Sequence, residues 1–449
     1  MNIPLLVNAI LFCASLLFYL FRKKRFDVGT IFYTIMAISA IGSVWFYSYD
    51  HVDTYWPNVR ITPLLFLWFT INICIHPCLK TDFSKVRQID DTGISSILDG
   101  LTSLFIVLSI FPLLSLLSHF SFDLFVGNTL GQMYESETDK ASLFFSGPSK
   151  FCFALIRRFE SLVLILSFYQ LTKKNKRIEL IIGTMIPITL FVLFKMLAGS
   201  RGGVMGTFIT ILCLAVYLRN CFSSKVWNKI RLVGITVTGL MFVGIAYISL
   251  SRFAYSVSAQ SSTITIDQWI SQYLGESFIR FSDKAWDTPC YMNGDQNFIY
   301  IKKILGFNVI EDYDRFMSFY EAKLHMPVNV FYTFMGDFYL DFGVIGGIMF
   351  AIIFAFIFNK LLSNTNRKVT VVQLLFLTVF FHILGFGFAA NVYRTIFIQK
   401  DLMYTFILAG LLWIVQKAVT PPIKPVETID FQDITLIQCK LQPIKVYAV

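Results

Sequence analysis

Several features are missing from this sequence, and each absence removes a class of protein. The eight cysteines are scattered, several inside apolar runs, without the paired spacings that hold a metal. Cys74 and Cys78 sit one helical turn apart in an apolar segment and read as buried thiols, and nothing in the spacing supports a disulfide between Cys152 and Cys290. No internal repeat or low-complexity block is present, so solenoids and arrays drop out. The layout of a secretory signal is absent too. Such a signal carries its charge before the apolar run, whereas here Arg22-Lys23-Lys24-Arg25 follows the run at 3–21. That run is expected to stay as a helix with its N-terminus outside.

What is present is apolar length. The chain of 449 residues is 56% hydrophobic with a mean hydropathy of +0.65. Runs of about twenty apolar residues, enough to cross a bilayer as a helix, recur along it. Backbone polar groups must be satisfied internally in lipid, so these runs predict helices. They fall at 3–21, 28–47, 61–79, 94–117, 151–171, 178–197, 204–218, 232–250, 343–362, 371–390 and 402–415. The expected fold is therefore an all-α polytopic membrane protein of about eleven transmembrane helices. Residues 1–250 hold the first eight, 251–342 form one large loop, 343–416 hold the last three, and 417–449 form a tail. The net charge of +10 sits mostly in short basic clusters between spans. That distribution follows the positive-inside rule and excludes nucleic acid as the partner; it places the N-terminus and the large loop outside and the tail in the cytoplasm.

Charged residues inside spans cost a few kcal/mol unless they face a cavity or a partner, so each is a functional candidate. Arg157, Arg158 and Glu160 lie about two turns into the fifth span, and Lys195 about one turn from the end of the sixth. Arg157 and Glu160 also read as a local i, i+3 pair, and Lys195 as a lysine snorkelling to the interface. Arg201 sits on the turn Gly199-Ser200-Arg201-Gly202-Gly203, where glycines permit close approach and a guanidinium offers a planar fork to phosphate oxygens. In the large loop Arg252 and Arg280 add cations, and 267–281 reads either as an amphipathic helix on the membrane face or as ordinary packing. His325, Asp337 and Asp341 approach the same surface at the loop's end and are candidate bases.

The glycine-arginine turn at Gly199–Gly202, with a large late loop closing on Asn329…Asp341-Phe342-Gly343-x-x-Gly346, resembles the bacterial O-antigen polymerases, the oligosaccharide repeat-unit polymerase family. The related O-antigen ligases show a similar His-Asn…Gly-x-x-Gly ending, although here three residues separate His325 from Asn329. The resemblance implies a glycosyltransferase of the bacterial inner (cytoplasmic) membrane, working on membrane lipid at its outer face. It would move a growing glycan from an undecaprenyl diphosphate carrier onto the next undecaprenyl-diphosphate-linked oligosaccharide, making O-antigen, capsular or exopolysaccharide. A flippase and a chain-length regulator are the implied partners, and no cofactor is implied. In those terms His325, Asp337 and Asp341 are the candidate catalytic residues, and Arg201, Lys195, Arg157, Arg158, Arg252 and Arg280 the diphosphate-binding set. The spacing Asp312-Tyr313-Asp314 also occurs in metal-dependent sugar transferases, but beside Glu311 and Arg315 it reads as a solvated charge run. The alternatives are a ligase or another lipid-linked-sugar transferase, or a flippase or transporter.

Overall fold

The computed structural model describes residues 2–49, 52–119, 140–198, 200–236, 265–328, 330–363 and 367–419, with isolated positions between 239 and 250. The principal helices are α1 (Ile3–Lys23), α2 (Val28–Tyr47), α3 (Ile61–Lys80), α4 (Ser95–Ser118), α5 (Gly147–Arg158), α6 (Glu160–Thr172), α7 (Ile178–Leu197, with a break at Thr184), α8 (Arg201–Tyr217), α9 (Ile266–Arg280), α10 (Tyr313–Leu324), α11 (Phe334–Ser363), α12 (Val371–Phe386) and α13 (Ile396–Val419). Seven of them, α1 to α4, α7, α11 and α13, are long and apolar enough to cross a membrane, and α6, α8 and α12 are shorter apolar helices. Large apolar side chains such as Phe18, Phe111, Ile345, Phe356 and Trp413 are exposed along these helices. So much exposed apolar surface suits lipid better than water. The chain is a mostly helical, multi-pass membrane protein. Its eighth expected span, 232–250, and its tail fall largely outside the described residues.

Local signals in the sequence set the helix ends. Asn2 caps α1, its side chain accepting from the Leu5 amide at 3.2 Å, and Lys24 closes the helix in the left-handed region. Asp27 with Thr30, and Thr370 with Gln373, form reciprocal capping boxes at the starts of α2 and α12. Gly343, at φ 68° and ψ −164°, interrupts α11. Only glycine adopts that backbone without strain.

The basic ends of the helices gather at one end of the bundle. Lys23 Nζ donates to the Thr81 carbonyl at 2.5 Å, and the Arg87 amide to the Arg367 carbonyl at 3.0 Å. There Gln88–Asp90 and Lys368–Thr370 pair as two short parallel strands, a small addition to an otherwise helical fold. Asp99, at the same end, holds Lys173 at 2.6 Å. The opposite end is closed by the segment after α12, where the Thr333 amide donates to Ala389 and the Phe334 amide to Gly387, each at 2.9 Å.

One expectation is corrected and one left open is decided. The fifth span is not one helix, because Phe159 (φ −110°, ψ 23°) leaves helical geometry and divides α5 from α6. Of the two readings of 267–281, ordinary packing holds: helix α9 packs across α2. A Cβ on Gly275 would stand 2.1 Å from the Ser43 amide nitrogen, and Ser39 Oγ donates to the Leu274 carbonyl at 2.6 Å. Packing this close needs a small residue. Gly275→Val is expected to destabilise the protein by at least about 1–3 kcal/mol, the usual cost of overpacking a tight contact. Thermal unfolding in detergent checks this, and an unchanged midpoint would mean that α9 does not dock as described.

Candidate functional site

The break at Phe159 does more than divide a span. It leaves Arg157 and Arg158 in the last turn of α5 and Glu160 in the first turn of α6. Cations are favoured at a helix C-terminus and anions at an N-terminus, so both ends are electrostatically matched. The i, i+3 pair between Arg157 and Glu160 does not form. Glu160 instead receives Lys195 Nζ from α7 at 2.6 and 2.8 Å, and Thr207 Oγ1 from α8 at 2.7 Å. Lys195 also donates to Thr207 at 2.5 Å. Lys195 is therefore paired within the protein, and the snorkelling reading is corrected. Ser200 caps α8 by accepting from the Gly203 amide at 3.3 Å, and the lack of a side chain on Gly203 lets the Lys195 stem pass beside it.

These groups line a cavity of about 680 Å³ between α5, α6, α7, α8, α12 and α13. This is within the range of small-ligand pockets, about 300–1,000 Å³. Arg157, Arg158, Lys195 and Arg394 face it, as do Glu160 and Asp401, so cations exceed carboxylates by two. Arg158 Nε stands 4.0 Å from Asp401 Oδ1, with its guanidinium 4.8 Å from the Tyr404 ring centre. Phe153, Phe191, Phe194 and Leu402 supply apolar wall. His382 of α12 also lines the cavity, its ring edge-on to Tyr393 at 5.9 Å. Burial, with the Glu160 charge second, pushes the Tyr393 hydroxyl above the ordinary phenol range, so it stays protonated and can donate.

The segment 387–395 carries several of these residues, and a buried polar network holds it in place. Asp337 accepts from the Asn391 amide at 2.6 Å and from Gln296 Nε2 at 2.7 Å, with Arg394 at 3.6 Å. Arg394 also donates to the Val330 carbonyl at 2.8 Å. Asp341 accepts from the amides of Gly294, Gln296 and Asn297 at 3.0, 3.1 and 2.9 Å and from Asn297 Nδ2 at 2.8 Å. Asn297 in turn accepts from Asn391 Nδ2 at 2.7 Å. Both aspartates are fully buried, and neither lines the cavity.

The expected site residues thus divide. Arg157, Arg158 and Lys195 come together. Asp337 and Asp341 serve the network behind Asn391 and Arg394 instead of presenting themselves at a surface. His325 is exposed beyond the end of α10, in the left-handed region and away from the cavity. Arg280 pairs with Glu276 and lies 5.0 Å from the Trp56 ring centre, also away from the cavity. Asp312, of the Asp-x-Asp spacing, caps α10 by accepting from the Arg315 amide at 2.8 Å. Arg201 begins α8, but its side chain, like Arg252 and Asn329, lies outside the described residues.

Sequence reasoning missed His382, Asn391, Tyr393, Arg394 and Asp401. Ending one span at 390 and starting the next at 402 left 391–401 as mere connection. An asparagine, a tyrosine and an arginine within four residues were the available signal there. A histidine inside a span was the signal at 382. Compared with protein-family models, with curated proteins and with solved structures, the chain matches none.

Proposed function

We infer that this chain is an oligosaccharide repeat-unit polymerase, a membrane glycosyltransferase that joins undecaprenyl-diphosphate-linked glycans at the outer face of the bacterial cytoplasmic membrane. The observation that carries the reading is the cavity with its excess of cations. Arg157, Arg158, Lys195 and Arg394 reach it from α5, α7 and the 387–395 segment, beside an apolar wall. A reaction that expels a diphosphate needs fixed positive charge where negative charge develops, and an apolar wall suits the polyprenyl carrier. Arginine is the better residue for this work, since its planar fork matches phosphate oxygens. The cavity lies at the end of the bundle away from the basic loops, which the positive-inside rule makes the outer end. A flippase needs charge along a path through the bundle, whereas here the cations collect near one end.

Reconstitution of the purified full chain tests the reading. Lipid-linked oligosaccharide extracted from cells lacking the chain is the substrate. The expected product is a ladder of glycans on the carrier, each step one repeat unit longer, with undecaprenyl diphosphate released in equal amount. A flippase or a ligase leaves the substrate unlengthened, and that result rejects the reading.

A further inference from the structure

A displacement at the anomeric carbon needs a base for the attacking hydroxyl, and the cavity's groups differ in their freedom to act as one. Glu160 is held by the Lys195 ammonium and by Thr207. Asp401 sits beside Arg158 and within electrostatic reach of Arg157. Both carboxylates are thus engaged by cations of the cavity. Tyr393 keeps its proton. His382 is different. Among the described residues its imidazole makes no hydrogen bond, and it is partly open to the cavity.

Its position is built. A Cβ on residue 206 would stand 2.7 Å from His382 Nε2, so the ring occupies space that only glycine at 206 leaves free. One turn along the same helix contact, a Cβ on Gly385 would meet Ile209 Cγ2 at 2.3 Å. Glycines on both helices therefore bring α8 and α12 close enough to fix the ring beside Tyr393. The charged groups acting on it are Lys195 of α7 and Glu160 of α6. The threonine hydroxyls of α8 that share the cavity, Thr207 and Thr210, are neutral.

We propose that His382 is the general base of the transfer, an assignment that rests on the polymerase reading. The acceptor hydroxyl gives its proton to the imidazole while its oxygen forms the new bond to the anomeric carbon of the donor glycan. The anomeric carbon–oxygen bond to the carrier breaks, and its electron pair leaves on undecaprenyl diphosphate beside Arg157, Arg158 and Arg394. The imidazolium then releases its proton to water. Among the described cavity groups His382 supplies the one imidazole, and no hydrogen bond among the described residues occupies its ring nitrogens, so one of them can accept the proton.

The test uses the reconstituted full chain and the same extracted lipid-linked oligosaccharide. His382→Gln is expected to slow lengthening by about 100-fold or more, the usual contribution of a general base, while retention of the unreacted glycolipid changes little. The wild-type rate should fall as pH drops and the imidazole takes a proton. That acidic limb should vanish in His382→Gln, and added imidazole should partly restore His382→Ala. If His382→Gln does not fold, His382→Asn carries the pH profile. A variant that lengthens glycans at near wild-type rate with the limb intact overturns the assignment and leaves the polymerase reading standing. A folded His382→Ala that imidazole cannot restore, with the limb kept, also overturns it. A wild-type chain that never lengthens the glycolipid removes both.

Discussion

Lys195→Met is expected to lower the stability of the protein by about 3 kcal/mol, and Glu160→Leu combined with it should recover most of that loss. The two side chains are 21% and 22% exposed, so each charge is largely withdrawn from water. Removing one partner of a largely buried pair leaves the other charge uncompensated, which typically costs about 3–5 kcal/mol. Replacing both with apolar residues of similar size is often close to neutral. Thr207 softens the single loss, since its hydroxyl still donates to Glu160 Oε1 at 2.7 Å, and this places the expectation at the low end. A double-mutant cycle by unfolding in detergent measures the coupling. Single variants within about 0.5 kcal/mol of wild type would mean that water, and not Lys195, neutralises Glu160. The same substitution has a chemical consequence. It reduces the cavity's excess of cations from two to one, so affinity for a diphosphate should fall even where the fold survives.

Period and charge made the spans legible. Residues 28–47 and 178–197 were delimited correctly, and those at 3–21 and 61–79 to within two residues, because apolar runs end where lipid ends and basic clusters follow. Hydropathy does not register a backbone break within an apolar run, and for that reason the interruption at Phe159 went unseen. Arg157, Arg158 and Lys195 were legible as charges in the wrong solvent. Their partners were not. Glu160 chooses Lys195 from thirty-five positions away over Arg157 at three, a choice made by how α6, α7 and α8 pack. Asp337 and Asp341 looked like surface acids because they close a polar loop. The structure instead turns them inward onto backbone amides of 294–297 and 391, contacts that local pattern does not encode. Gly206 and His382 are 176 residues apart in number, and only the approach of α8 to α12 makes a glycine there meaningful.

The glycans that accumulate when the chain is deleted test the polymerase reading most directly. A polymerase acts after its substrate has crossed the membrane, so its loss leaves repeat units that are complete and already outside. Where a separate ligase is present, those units should appear singly on the surface lipid. The expected effect is a complete loss of long polymer with single units retained, read by gel separation of surface glycans and mass spectrometry of the carrier-linked pool. Loss of a flippase instead traps complete units on the inner leaflet, and loss of a ligase leaves long polymer on its carrier. A membrane protein unrelated to glycans leaves the profile unchanged. Single complete units at the outer face are the result this account predicts; full-length polymer in the deleted cells, attached or carrier-bound, contradicts it.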